Sequence, residues 1–152
     1  MRIHELSVAE CEAILARCDL GRLGCANDNQ PYVVPIHYSF DSERKCLYAF
    51  STVGQKITWM RQNPKVCVEV EDVTDRDRWG TVLVFGRFEE MGDSIADQIA
   101  RRAAEELFSK RRAWWLPAVA KVGSAERHAV IIYRIKIERM TGRRASRARP
   151  AD

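Results

Sequence analysis

Ser51-Thr52 followed by Gly54-Gln55-Lys56 is the run of residues in this chain best suited to holding a phosphate. Two hydroxyls can donate hydrogen bonds, the lysine brings a full positive charge, and the glycine lets backbone approach closely. If a helix begins here, its first amides are unpaired and carry partial positive charge, which adds donors aimed at an anion. The flanking residues predict that helix. Cys46 to Thr52 reads as a strand, Ile57 to Asn63 as a short amphipathic helix stopped by Pro64, and Val66 to Val70 as a second strand. Gly-x-Lys before a helix also arises by chance, as a turn glycine followed by a solvated lysine, so the rest of the chain must decide.

Other chemistry is sparse. His4, His37 and His128 are far apart and show no metal-ligand spacing, so no metal site is expected. The five cysteines, at 11, 18, 25, 46 and 67, contain no Cys-x-x-Cys pair and have apolar neighbours, which suits buried reduced thiols. There is no Ser-His-Asp logic and no P-loop. Glu89-Glu90 and Glu105-Glu106 are adjacent pairs that point apart or sit on a solvated helix face. His37 is a weak catalytic candidate, since a lone histidine is more often structural.

A chain of 152 residues with 46% hydrophobic content is expected to form one domain with a real core. No apolar run reaches the ~20 residues needed to span a bilayer, and the start lacks the apolar core of a secretory signal. A cytoplasmic location with no membrane contact is expected. The net charge of +4 is concentrated from Arg139 to Asp152, which holds five arginines and one aspartate. The remainder is balanced. Residues 1–142 are therefore expected to fold, with 143–152 as a basic disordered tail. Nucleic acid is not an expected partner, except weakly through that tail.

Around the phosphate grip, the elements read as follows. Ser7-Val8-Ala9-Glu10 is a capping box that opens a helix from Val8 to Arg17. Arg22 to Asn27 and Tyr32 to Phe40 form a hairpin about Asp28-Asn29-Gln30, with Pro35 marking an edge or bulge. Within this second strand Tyr32, Val34 and Ile36 lie on one face and Val33, Pro35 and His37 on the other. Glu71 to Arg78 reads as a charged loop, and Trp79 to Glu90 as a long strand. Asp93 to Lys110 reads as an amphipathic helix with Ile95, Ile99, Ala103 and Leu107 on one stripe. Trp114-Trp115-Leu116-Pro117 reads as a loop, and Ala129 to Glu138 as the last strand. Six strands arriving mainly as hairpins, with three helices, predict a mainly β (α+β) fold whose antiparallel sheet closes or partly closes into a barrel.

The series Pro31-Tyr32-Val33-Val34-Pro35-Ile36-His37-Tyr38, Leu47-Tyr48-Ala49-Phe50-Ser51, Gly54-Gln55-Lys56-Ile57 and Asn63-Pro64-Lys65-Val66-Cys67 resembles the flavin-binding split β-barrels related to pyridoxamine 5'-phosphate oxidase. It is closest to the branch that includes the nitroimidazole-resistance proteins. The resemblance runs from Leu6-Ser7 to Thr141-Gly142. It implies an antiparallel split barrel, packed as a homodimer with FMN in a groove at the interface. FAD is the alternative cofactor.

By this resemblance Ser51, Thr52, Gly54 and Lys56 hold the flavin phosphate, with Phe50 beside them. Val33, Val34, Pro35, Ile36 and His37 run along the isoalloxazine, and Trp115 lies near the partner's flavin. Thr141-Gly142 resembles the family's ending of the last strand. The implied activity passes electrons from a reduced nicotinamide, NAD(P)H, to a small organic acceptor such as a nitroaromatic or a quinone. A non-enzymatic protein that binds or senses flavin, haem or deazaflavin is the alternative. True pyridoxamine phosphate oxidases typically end in Trp-Arg-Leu-x-Pro. This chain instead carries Arg143-Arg144-Ala145-Ser146-Arg147-Ala148-Arg149-Pro150, which points to a different substrate.

Overall fold

The structure is a computed structural model that describes residues 1–110 and 130–146. Those residues form eight strands and three helices in the order β1 (Arg2–Glu5), α1 (Val8–Arg17), β2 (Leu20–Asn27), β3 (Gln30–His37), β4 (Ser39–Asp41), β5 (Cys46–Ser51), α2 (Gln55–Gln62), β6 (Lys65–Asp75), β7 (Arg78–Glu90), α3 (Ile95–Ser109) and β8 (Ile131–Ser146). All strand pairings are antiparallel.

The sheet runs β3-β2-β6-β7-β8-β5-β4, with β1 added to β8. Its two end strands, β3 and β4, are consecutive in the chain and separated only by Tyr38. One residue spans under 4 Å of chain, so the sheet must curl until its ends meet. They meet without pairing to each other, which is the split in the barrel. The expected unbroken strand from Tyr32 to Phe40 is thus two strands on opposite edges. Tyr38 marks the crossing: its amide donates to Asp19 O (2.9 Å), and its buried hydroxyl donates to Leu15 O (3.0 Å).

Inward residues alternate along β2, the first half of β6 and β7, as a half-buried strand requires. Leu23, Ile36, Val66, Val68, Val70, Val82, Val84, Phe88, Tyr133 and Ile135 fill the barrel. Helix α1 closes one end with Cys11, Ile14 and Leu15. Its N-terminus carries the expected capping box, in which Ser7 N donates to Glu10 Oε2 (2.9 Å) and Glu10 N to Ser7 Oγ (3.3 Å). Gly142 lies within β8 rather than at its end. A Cβ there would come within 2.6 Å of Cys11 Sγ, so its bare backbone makes room for α1.

Helix α3 covers the outside of β5. The stripe expected at Ile95, Ile99, Ala103 and Leu107 is not the face it buries. Ala100, Ala104 and Phe108 face the sheet, packed with Cys46, Tyr48 and Met91, and Ile95 and Ile99 are 79% and 53% exposed. Small alanines let the helix lie close over large strand side chains, whereas counting apolar bulk along the helix favours the isoleucines.

Three boundaries also move. The charged segment expected as a loop is mostly strand: β6 runs to Asp75, and the turn is fastened by Arg78 Nε to Asp75 Oδ2 (2.7 Å). The last strand reaches Ser146, so Arg143 to Ser146 belong to the sheet and not to the basic tail. There β8 pairs with β1, a polar exposed strand without a periodic signal of its own. The Trp114-Trp115 loop and residues 147–152 lie outside the described residues.

At the β7–β8 bulge between Phe85 and Gly86, a Cβ on Gly86 would sit 2.5 Å from Lys136 O and 2.8 Å from Ile135 Cγ2. Gly86→Ala is expected to cost about 1–3 kcal/mol through overpacking against backbone. Gly54→Ala should leave stability unchanged, because a Cβ there meets nothing within 4 Å and the backbone is extended. Urea titrations of the two variants check this contrast.

Candidate anion and cofactor site

Strand β5 ends at Ser51, and the chain passes through Thr52 and Val53 to Gly54, which caps α2. No side chain caps this helix end. The first intrahelical bond runs from Thr58 N to Gly54 O (3.0 Å), so the amides of Gln55, Lys56 and Ile57 precede it. Buried Ile57 and Met60 pin the helix to the barrel core. The fold therefore presents three donor amides and the positive end of a short dipole at the residues singled out from the sequence.

Lys56 is half-buried and has no carboxylate partner among the described residues. Burial pulls its ammonium below the usual lysine range, because a desolvated cation is disfavoured. The folded chain then holds this proton less tightly than the unfolded chain. Stability consequently rises with pH between the depressed folded pKa and the ordinary value of about 10.4. Below that interval the lysine is charged and costs stability.

The neighbouring groups differ in readiness. Thr52 is exposed, while Ser51 Oγ donates to Thr52 O (2.8 Å), so a phosphate bond from Ser51 requires that donor to be exchanged. Gly54 faces open space. Arg61, near the end of α2, is forked onto Glu90 at 2.8 and 2.7 Å and serves that ion pair instead of the helix start. Phe50 is turned toward α3, where its ring meets Phe108 edge-on at 5.3 Å.

Strand β3 forms one end of the sheet, pairing only with β2. Its free edge suits Pro31 and Pro35, which cannot donate to a ladder. Val33, Pro35 and His37 are exposed, Val33 at 66%, whereas Ile36 is buried and Tyr32 and Val34 are half-buried. This is the two-faced pattern read from the sequence. Two contacts that the sequence did not announce tie the β2–β3 hairpin to α2 and its C-cap residue. The Tyr32 and Trp59 rings pack at 5.5 Å and 57°, and Asn63 Nδ2 donates to Ala26 O (3.0 Å). A tryptophan in a short polar helix and an asparagine before its terminating proline were the only signals available.

The structure thus brings Ser51, Thr52, Gly54 and Lys56 into one strand–turn–helix unit beside the Val33–His37 strand. Trp115 lies outside the described residues. Among the described residues no group of His, Cys, Asp and Glu could hold a metal ion, and all five cysteines are free. Burial is the leading cause that raises the thiols of Cys11, Cys25 and Cys46. No described helix is long and apolar enough to cross a membrane.

A curled, mainly antiparallel sheet split between consecutive strands, with an uncapped helix start at its rim, is the architecture of a split β-barrel. The chain belongs to the pyridoxamine 5'-phosphate oxidase family, whose model matches residues 7–144. It is 37% identical over 150 residues to an uncharacterized protein of Rhizobium meliloti (strain 1021), covering 95% of this chain and 97% of that one. Its structure matches that of an FAD-binding protein from Mesorhizobium loti with TM-score 0.80 and 39% identity, covering 97% and 99% of the two chains. It shares its fold with a candidate 5-nitroimidazole antibiotic resistance protein from Bacteroides thetaiotaomicron (TM-score 0.67, 20% identity, 94% and 89% covered).

Lys56→Met should raise the urea midpoint at pH 7, by removing a desolvated charge. It should also weaken binding of FMN at least tenfold, through loss of a charge-assisted bond worth about 1.5–3 kcal/mol. Riboflavin, which lacks the phosphate, should bind both proteins equally. Fluorescence titrations with the two flavins test the pair of expectations.

Proposed function

We propose that this protein binds a flavin nucleotide and uses it to pass electrons from a reduced nicotinamide to a small organic acceptor. The observation that carries the reading is Lys56, a half-buried ammonium without a carboxylate partner, at a helix start that no side chain caps. An anion relieves both conditions at once. The Mesorhizobium loti relative is an FAD-binding protein, which favours the dinucleotide over FMN.

On this reading Lys56, Thr52 and the amides of Gln55 to Ile57 hold the flavin phosphate, and Ser51 joins them when its hydroxyl turns from Thr52 O. The free edge of β3 offers backbone donors and acceptors to the ring from Val33 to His37. The Tyr32–Trp59 contact keeps that edge at a fixed distance from α2. When bound, the flavin supplies hydride acceptance from the nicotinamide and delivery of electrons to the acceptor. The protein's part is to bind, orient and tune it, so no side-chain acid or base is demanded. A nitroaromatic or a quinone fits such a reaction.

The exposed Val33 and Leu20, at 66% and 42%, favour a homodimer that covers this side of the sheet. A protein that binds flavin without turnover is the second reading, favoured by the absence of an acid–base pair beside Lys56 among the described residues.

Protein purified with its ligand should be yellow, and mass analysis of the released pigment should give FAD. Reduced nicotinamide should bleach it, and acceptor should restore the colour. A pigment that no nicotinamide reduces would leave only the binding reading. A Ser51→Ala/Thr52→Ala/Lys56→Gln variant that stays fully loaded would remove the phosphate assignment.

A further inference from the structure

A second concentration of positive charge lies on the outer face of the sheet, away from the start of α2. Lys65 on β6 is paired directly with Arg87 on β7, and Arg87 is paired directly with Lys136 on β8. Directly opposed residues of antiparallel strands place their side chains on one face, and all three are exposed. Beyond the bulge, Arg139 holds its guanidinium 4.0 Å from the centre of the Phe85 ring.

Among the described residues none of these four side chains has an ion pair. The nearby carboxylates are committed elsewhere: Glu69 to Arg22 (3.5 Å), Glu89 to Arg134 (2.6 Å) and Glu90 to Arg61 (2.7 Å). Glu138, the extra residue at the bulge, is exposed and stands alone against four cations. Like charges directly opposite each other across a ladder are destabilising. None of the three opposed residues contributes to the core, so the fold does not need their charge.

We propose that Lys65, Arg87, Lys136 and Arg139 bind the diphosphate of a nucleotide. Neighbouring strands lie about 4.8 Å apart, so Lys65 and Lys136 are about 10 Å apart at the backbone. Long side chains close that gap onto one compact polyanion, and four cations suit the several oxygens of a diphosphate better than a single carboxylate. Beside the cluster, Phe85 is paired with Cys67 and Cys67 with Gly24. This row crosses about 10 Å of sheet and stops short of the Val33 side that the proposed homodimer covers. The diphosphate is not the flavin's, whose single phosphate or diphosphate is taken up at Lys56; a nicotinamide dinucleotide carries a separate one.

The site is independent of the flavin reading, because it is tested on flavin-free full-length protein. Isothermal titration with inorganic pyrophosphate should show saturable binding that weakens with salt. Arg87→Gln/Lys136→Gln should weaken it at least tenfold, whereas Lys56→Gln should not change it. Without ligand the double variant should melt higher than wild type, because opposed charges have been removed. Pyrophosphate should raise the melting temperature of wild type only. Absence of saturable binding, unchanged affinity in the double variant, or a lowered ligand-free melting temperature would each overturn the proposal. Preloaded protein separates this site from the flavin's. ADP should bind FAD-loaded protein undiminished; loss of that binding on loading with FAD would overturn the proposal.

Discussion

Closure of the sheet rests on Tyr38, which carries the chain from one edge strand to the other. Because β3 and β4 sit at opposite ends of the strand order yet are joined by this residue, the sheet cannot lie flat. The curl turns alternate side chains into a shared interior and leaves β3 unpaired along one side. The tyrosine anchors the crossing at both ends, with its amide bonded to Asp19 O and its hydroxyl to Leu15 O. A free strand edge, a pairing liability in most sheets, is thereby left along β3. The same curl sets α2 against β2, with Trp59 touching Tyr32 of β3, so the free strand edge and this helix share one neighbourhood.

Charge in this molecule divides into two kinds. Most of the described arginines are spent on ion pairs, among them Arg17 with Asp72, Arg61 with Glu90 and Arg134 with Glu89. These are partly exposed and each contributes little to stability. Lys56 and the opposed cations of β6, β7 and β8 are different, since they have no carboxylate to answer them among the described residues. A desolvated cation, or one set directly opposite another, lowers stability. The near-neutral body of the chain conceals this, because formal charge counts residues and not their partners.

The strand–turn–helix at Ser51 to Gln62 was legible because its signals are local: a β-prone run, a glycine, an amphipathic helix and a proline. The two faces of β3 were legible for the same reason, since alternation survives in any context. What escaped were features fixed by distant partners. Strand β1 exists only because β8 extends far enough to pair with it, and the far half of β6 is strand only because β7 lies beside it. The buried face of α3 is chosen by the size of Cys46, Tyr48 and Phe50 beneath it, which no periodicity along the helix reports. Arg61 looked available to a phosphate until Glu90, distant in sequence, was found holding it.

Strand β8 pairs with β5, β7 and β1 in turn, joining Ile131 to Ser51 at one end and Ser146 to Arg2 at the other. It is also the last of the described elements in chain order. The β2–β3 and β6–β7 pairs can form without it, but β1 has no other partner, and β5 and β7 each keep one open edge until β8 arrives. On a ribosome those edges stay unpaired until the end of this strand emerges, so closure of the sheet is a late step governed by contacts of long sequence separation.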